Sequence, residues 1–250
     1  MSFFDEMEYT TSNALFVPNR KYKFRVAQGA DKVNAWRTSQ VFFILFGSIL
    51  SNREVDEIMA SFKVSVGISN RHIHLSQEHI EALFGPGYTL TKTKDLSQPG
   101  QFACEETVTL IGPKGTMPGV RILGPARKAS QVELSATDTF KIGVKPPVRD
   151  SGKLEETPGV DVEGPKGRVH LDQGVIVAAR HIHMTPEEAA EYSLKDGDHV
   201  RVAVPGPRGG SLDHVLVRVN SNYELDLHLD TDEGNAFGLK NGQQLEVSTD

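Results

Sequence analysis

The chain has 250 residues, enough for one large or two modest domains with genuine cores. A net charge of -6, with 38% hydrophobic and 24% charged residues, fits a globular protein and argues against broad nucleic-acid binding, which shows as a basic excess. Cys104 is the single cysteine, which excludes an internal disulfide and a cysteine-based zinc knuckle and fits a reducing, cytoplasmic setting.

Residues 1–50 read as an N-terminal extension of unassigned role. Residues 1–40 carry no clear period and include a basic aromatic run, Arg20-Lys21-Tyr22-Lys23-Phe24-Arg25. Val41 to Leu50 is strongly apolar but only about half as long as a membrane span needs, so no span is expected. The acidic, overlong stretch before it makes a poor signal peptide. A docking segment, a core segment and an interaction tail remain open. Ser51 to Phe62 has the caps, the acidic first half and the apolar stripe (Val55, Ile58, Met59, Phe62) of a short helix. Lys63 to Ser69 then alternates as a strand.

That strand leads into Arg71-His72-Ile73-His74-Leu75, a phrase the chain repeats as Arg180-His181-Ile182-His183-Met184. Each copy is followed by a good helix N-cap, Ser76 or Thr185, and then by a Glu-containing helical stretch, Gln77 to Leu83 or Pro186 to Ala190. The repetition marks an internal duplication. On a strand, side chains at i and i+2 share a face, so each His-x-His can converge on one point while Arg71 and Ile73 face away. Two imidazoles on one side of a strand are half of a metal site.

Between the phrases lie short β-rich runs and turns. Thr107 to Ile111 runs into Gly112-Pro113-Lys114-Gly115, a hairpin turn; Val120 to Leu123 stops at Gly124-Pro125; Gln131 to Leu134 follows. The same turn wording returns at Gly164 to Gly167, between the halves, and as a variant at Pro205 to Gly209. Lys145 to Glu163, rich in Pro, Gly and charge, reads as the connecting loop. The second half repeats the plan: Gly174 to Ala179 enters the second phrase, and strands follow at His199–Val204, Val215–Val219, Glu224–Leu229 and Gln244–Val247. The fold class expected is mainly β: two small pseudo-repeated antiparallel β-barrel domains with short helices.

A two-histidine half-site needs a further ligand. Late in each half an ionisable residue stands on a short strand just before a Thr-Asp pair: Glu133 in VELSATD and His228 in DLHLDTD. This suggests one site of His72, His74 and Glu133 and another of His181, His183 and His228. From spacing alone, solvated strand residues are an equal alternative for Glu133 and His228. Three protein ligands with an open fourth position describe catalytic rather than structural zinc. Arg127, just past the Gly124-Pro125 turn, offers a planar fork suited to phosphate, against the commoner fate of a surface arginine. His79, His170, His199 and His214 lack a paired partner and read as surface residues.

The stretches SNRHIHLS, ILGPARKASQVELS, PPVRDSG, ARHIHMTPEEA, LKDGD and DLHLDTDEGNA closely resemble the PduL-type phosphotransacylases, also called phosphate propanoyltransferases. The resemblance runs over about residues 52 to 248 and leaves residues 1–50 uncovered. It implies a dinuclear zinc enzyme of two β-barrel domains that interconverts short-chain acyl-CoA (propanoyl-CoA or acetyl-CoA) plus phosphate with acyl phosphate plus CoA. Carried over residue by residue, it implies His72, His74 and Glu133 on one zinc ion and His181, His183 and His228 on the other. It makes Arg127 the catalytic, phosphate-handling residue, and Ser69, Lys94, Arg121, Leu123, His228 and Asn235 the CoA contacts. The domains it implies are 71–178 and, for the second barrel, 52–70 with 179–248. It further implies a homo-oligomer, in the cytoplasm or inside a bacterial microcompartment with shell or cargo partners, serving propanediol degradation or acetate metabolism.

Two other classes compete. A zinc hydrolase cleaves a thioester with water instead of phosphate. A scaffold or shell-associated protein only binds CoA or metal. Phosphate dependence separates the first from a phosphotransacylase, and any turnover at all separates the second.

Overall fold

The computed structural model describes residues 4–10, 21–27 and 61–249. The chain divides into Met1–Ile58 and Met59–Asp250. In the first unit, β1 (Phe4–Thr10) and β2 (Lys21–Ala27) pair antiparallel, Phe4 opposite Ala27 and Thr10 opposite Lys21. The basic aromatic run thus falls largely on a strand. Val41 to Leu50 and most of the expected helix at Ser51 to Phe62 lie outside the described residues; Phe62 itself is in a strand.

The second unit holds two sheets. A closed six-stranded barrel is formed by β3 (Ser61–Ser69), β13 (His181–Met184), β14 (His199–Val204), β15 (Gly210–Val219), β16 (Asp226–Asp230) and β17 (Gln244–Ser248), in the order β13-β15-β14-β17-β3-β16. The other sheet, nine-stranded and curled without closing, contains β4 (His72–His74), β5 (Lys92–Asp95), β6 (Phe102–Ile111), β7 (Thr116–Gly124), β8 (Gln131–Glu133), β9 (Val148–Arg149), β10 (Val160–Glu163), β11 (Arg168–Leu171) and β12 (Val175–Ala178). The fold is mainly β, as expected, but several pairings are parallel: β4 with β7, β8 with β12, β13 with β15 and β16 with β3.

The parallel pairings follow from an exchange of strands. β3 precedes the first histidine phrase yet belongs to the barrel, beside β16; β12 precedes the second phrase yet runs beside β8 in the curled sheet. Each phrase is therefore entered from a strand of the other sheet.

The helices start where the sequence supplies a side-chain acceptor. Ser76 caps α1 (Gln77–Phe84), Ser135 caps α2 (Ala136–Ile142), Thr185 caps α3 (Pro186–Glu191) and Asp230 caps α4 (Thr231–Phe237). At Thr185 the cap is reciprocal: Glu188 N–H donates to the Thr185 hydroxyl while Glu188 Oε2 accepts from Thr185 N–H, a capping box.

The repeated Gly-Pro-Lys-Gly wording has one structural meaning. Both copies are hairpin turns that dock on the C-terminal end of a helix: Lys114 N–H donates to Ile142 O at 3.0 Å and Lys166 N–H to Leu83 O at 2.9 Å. A Cβ at Gly112 would stand 2.3 Å from Ile142 O, so the first turn needs a glycine to reach the helix. The second copy does not separate the halves, as the sequence suggested; it joins β10 to β11. Lys145 to Glu163 is likewise not one connecting loop, because it carries β9 and β10, both in the curled sheet. Strands of two and four residues are too short to show a period.

Each sheet encloses its own core. Ile73 and Leu75 pack with Ile80, Leu83, Leu110, Ile122 and Val132 in one; Ile182 and Met184 pack with Val66, Val202, Leu212 and Leu227 in the other. Cys104 is fully buried in the first core, and burial pushes its thiol up to about 11, so it is a packing residue with little thiolate character.

Candidate active site

The histidine phrases form short strands because their odd and even positions have separate partners. Ile73 and Ile182 fill the cores, which turns His72, His74, His181 and His183 to the opposite face. β4 runs antiparallel to β8 with His72 opposite Glu133, and β13 runs antiparallel to β16 with His181 opposite His228. The duplicated register brings together the residues singled out from spacing: His72, His74 and Glu133 in one group and His181, His183 and His228 in the other, with candidate ligand atoms within 4.8 Å of one another in each.

The same backbone device sets the first histidine of each pair. His72 Nδ1 donates to Asn70 O and His181 Nδ1 to Ala179 O, both at 2.8 Å, which leaves Nε2 of each ring with its lone pair. The remaining rings carry buried nitrogens with no hydrogen-bond partner: His74 Nδ1, both nitrogens of His183, and His228 Nε2. Buried polar atoms of this kind normally find partners, so a cluster of them aimed inward calls for a ligand.

The electrostatics keep His74, His181, His183 and His228 neutral. Burial, followed by the neighbouring His228, takes His181 down to about 4; burial and His181 take His183 down to about 2. Burial takes His228 to about 4 and pushes His74 well below its ordinary value. Burial acts on Glu133 in the direction of a higher pKa, but His72, His74 and Arg127 outweigh it and hold the carboxylate at about 2. Neutral imidazoles and an ionised carboxylate are the forms that bind a cation. Imidazole and carboxylate donors at three per site suit zinc and leave room for a substrate atom.

Both groups line one cavity of about 290 Å³, with Arg127, Ser69, Leu123 and Leu229 among its walls. Arg127 is positioned by its own backbone, whose N–H donates to Leu75 O at 2.9 Å, one residue past His74. Its guanidinium reaches Ser151 Oγ at 3.5 Å. Of the CoA contacts implied by resemblance, Ser69, Leu123 and His228 line the cavity. Lys94 on β5, Arg121 on β7 and Asn235 on α4 are exposed and outside its lining. Arg121 donates to Cys104 O and Glu105 O.

Several residues were missed from sequence. Gln131 Nε2 donates to Glu133 Oε1 at 2.5 Å, and Ser151 Oγ donates to the same oxygen at 3.0 Å, which orients the carboxylate. Gln131 was visible as the i−2 neighbour of Glu133 on the same strand face. Ser151 comes from a different strand connection and had no local signal. The Tyr223 ring lies against His183, tilted by 34° with centroids 4.1 Å apart, and Arg218 lies opposite His183 in register on β15. The histidines set aside as unpartnered do have neighbours: His79 meets Ser130 Oγ at 2.7 Å, His170 meets Asp161 at 2.5 Å, and the His199 and His214 rings lie 6.3 Å apart.

A sequence model of the phosphate propanoyltransferase family matches residues 65–240. The chain belongs to that family. A phosphate propanoyltransferase of Thermotoga maritima is 55% identical over 185 residues, covering 74% of this chain and 88% of the relative. One of Rhodopseudomonas palustris is 49% identical over 201 residues (80% and 89%), and one of Rhodobacter capsulatus 52% over 184 residues (74% and 86%). Membership makes the chain an enzyme of the acyltransferase class. The matched region contains both histidine groups and Arg127. Among the described residues, no helix is long and apolar enough to cross a membrane.

Proposed function

We propose that the chain interconverts a short acyl-CoA, propanoyl-CoA or acetyl-CoA, plus phosphate with the acyl phosphate plus CoA, at a dinuclear zinc site. The observation that carries this reading is the pair of three-residue donor groups opening with Arg127 onto one cavity. His72, His74 and Glu133 would hold one ion, and His181, His183 and His228 the other. Bound there, zinc supplies Lewis acidity toward the thioester carbonyl and the departing sulfur.

The chain's own residues do the rest. Arg127 binds the attacking phosphate, and its burial in the cavity strengthens that attraction by excluding water. Ser151 and Gln131 hold Glu133 in one orientation. A phosphate oxygen bonds to the acyl carbon, the carbon–sulfur bond breaks, and its electron pair leaves on the CoA sulfur. No protein nucleophile is required, and the inert Cys104 is consistent with that. Ser69, Lys94, Arg121, Leu123, His228 and Asn235 are the proposed CoA contacts, all by analogy with the family. The exposed positions of Lys94, Arg121 and Asn235 suit the polar body of CoA rather than its reacting end.

The test is release of free CoA thiol from acyl-CoA with and without phosphate, before and after chelation. Release that requires both supports the proposal; metal-dependent release without phosphate makes the enzyme a thioester hydrolase.

A further inference from the structure

The cavity lining holds two arginines that the proposed reaction does not yet use, Arg71, which is paired with Asp138 at 2.7 Å, and Arg218. Arg218 stands on β15 directly opposite His183, in a register where the first half carries the pairings His72 with Arg121 and Ile73 with Ile122. One step further along β7 is Leu123, so the first half has an apolar residue where the second has a charge. The asymmetry is reversed one turn of chain later. Asn220 N–H donates to Met184 O as Arg127 N–H donates to Leu75 O, so the position equivalent to Arg127 is an amide residue. Apart from Arg71, which is paired with Asp138, each half thus contributes one arginine to the cavity lining, and each by a different route.

The side chain of Arg218 has one acidic and one aromatic neighbour. Its Nε lies 3.5 Å from Asp150 Oδ1, and its guanidinium sits over the Tyr223 ring at 5.9 Å from the centroid. Arg218 and Asp150 are only 22% and 19% exposed, so this is a partly desolvated arrangement and not a loose surface pair. Tyr223 in turn lies tilted against His183, which ties the arginine to the second histidine group. Asp150 belongs to the same strand connection as Ser151, the neighbour of Arg127 and Glu133.

Arg218 and Arg127 line the same cavity. Two guanidinium groups on the walls of one cavity offer an anion donors from both sides. Glu133 is committed to the histidine group, and Asp150 is paired with Arg218 through Nε at 3.5 Å. A tetrahedral dianion with several oxygens suits two forks better than one.

We infer that Arg218 is a second phosphate-binding residue, which with Arg127 clamps the phosphoryl group of inorganic phosphate and of acyl phosphate. The inference rests on the phosphotransacylase reading above. One arginine from each half holding one phosphoryl group also gives a reason for the two halves to share a cavity.

The experiment uses the metal-loaded full chain, with Arg218→Ala, Arg218→Lys and Asp150→Asn measured beside the unaltered protein. A charge-assisted hydrogen bond is worth on the order of tenfold to a hundredfold in affinity. Arg218→Ala is expected to raise KM for phosphate, and for acyl phosphate in the reverse direction, by about that factor, with KM for acyl-CoA changed less than about threefold. Arg218→Lys keeps the charge without the fork and should recover part of the loss; Asp150→Asn loosens the tether and should raise the phosphate KM by a smaller factor. Calorimetric binding of inorganic phosphate to the metal-loaded protein should weaken in the same order. Metal content should be unchanged throughout. An unchanged phosphate KM in Arg218→Ala, or a rise confined to acyl-CoA, overturns the inference; if the alanine variant does not fold, the lysine and asparagine variants decide it by the same criterion. Thiol release by the unaltered protein without phosphate would instead overturn the reading beneath it.

Discussion

Glu133 and His228 occupy the same place in two copies of one structure. Glu133 faces His72 across β8 and β4, His228 faces His181 across β16 and β13, and each is followed two residues later by the N-cap of a helix, Ser135 or Asp230. The copies also share an ion pair, Arg71 with Asp138 at 2.7 Å and Arg180 with Glu233 at 3.2 Å, that joins the start of each phrase to the first turn of that helix. They touch where Thr137 N–H donates to Asp232 Oδ2 at 2.7 Å. A carboxylate in one copy and an imidazole in the other give the two donor groups different charge, so that on the proposed reading the first would hold a cation more tightly than the second.

Replacing either residue should therefore empty one site and spare the other. Glu133→Ala and His228→Ala are each expected to lower zinc content by about half and turnover by more than about a hundredfold, because a three-ligand site rarely survives with two. Elemental analysis of the purified variants checks this. Full zinc content in both would remove the two triads as the ligand sets.

Arg127 should act on the reaction and not on the metal. Arg127→Ala is expected to keep its zinc and lose roughly a hundredfold to a thousandfold in turnover, the usual scale for removing a donor aimed at developing charge. Turnover within about threefold of the unaltered protein would take the phosphate away from Arg127.

The metal-free protein should be sensitive to mild acid. His181 and His228 titrate near 4 and His183 near 2 in the folded chain, against about 6.5 when unfolded. Below 6.5 the unfolded chain takes up protons that the folded chain refuses, so the stability present above 6.5 falls as pH drops toward 4. The loss is at most about 3 kcal/mol for each of His181 and His228, less where their charges interact. Denaturant midpoints of chelated protein at pH 7.5 and 5 measure it. Replacing His181 and His228 by glutamine should flatten the dependence, whereas an equally steep dependence in that variant would place its origin elsewhere.

The loop after β5 is stitched to the loop before β16 by one side chain. Gln98, only 3% exposed, donates from Nε2 to Glu224 O at 3.0 Å and accepts from Glu224 N–H at 3.3 Å. Gln98→Ala leaves both backbone groups without that partner and is expected to cost about 1–3 kcal/mol. An unchanged urea midpoint would mean that water replaces the amide at no cost.

Much of the site could be read from sequence because its key positions are local. His-x-His on a strand, an N-cap after it and a core residue between the rings are all encoded within a few residues, and the structure keeps that alternation. The third positions were harder. Counting back from Thr-Asp gave unequal distances for Glu133 and His228, because the true match runs through the caps Ser135 and Asp230, which differ in residue type. Pairings over long separations were not legible: nothing near Ser61 to Ser69 says that the strand will close the barrel beside β16, or that Val175 to Ala178 will join β8. Arg218 was passed over because a charged residue inside an alternating strand looks like its solvent face; only the three-dimensional register with His183 turns it toward the cavity.

The most direct measurement is thiol release from propanoyl-CoA by the zinc-loaded chain, with phosphate present and absent and again after chelation. A phosphotransacylase with these two sites releases CoA only when both phosphate and metal are present, and forms acyl phosphate in equal amount. Release at the same rate without phosphate would contradict the assignment of the cavity to phosphate and leave a metal-dependent hydrolase.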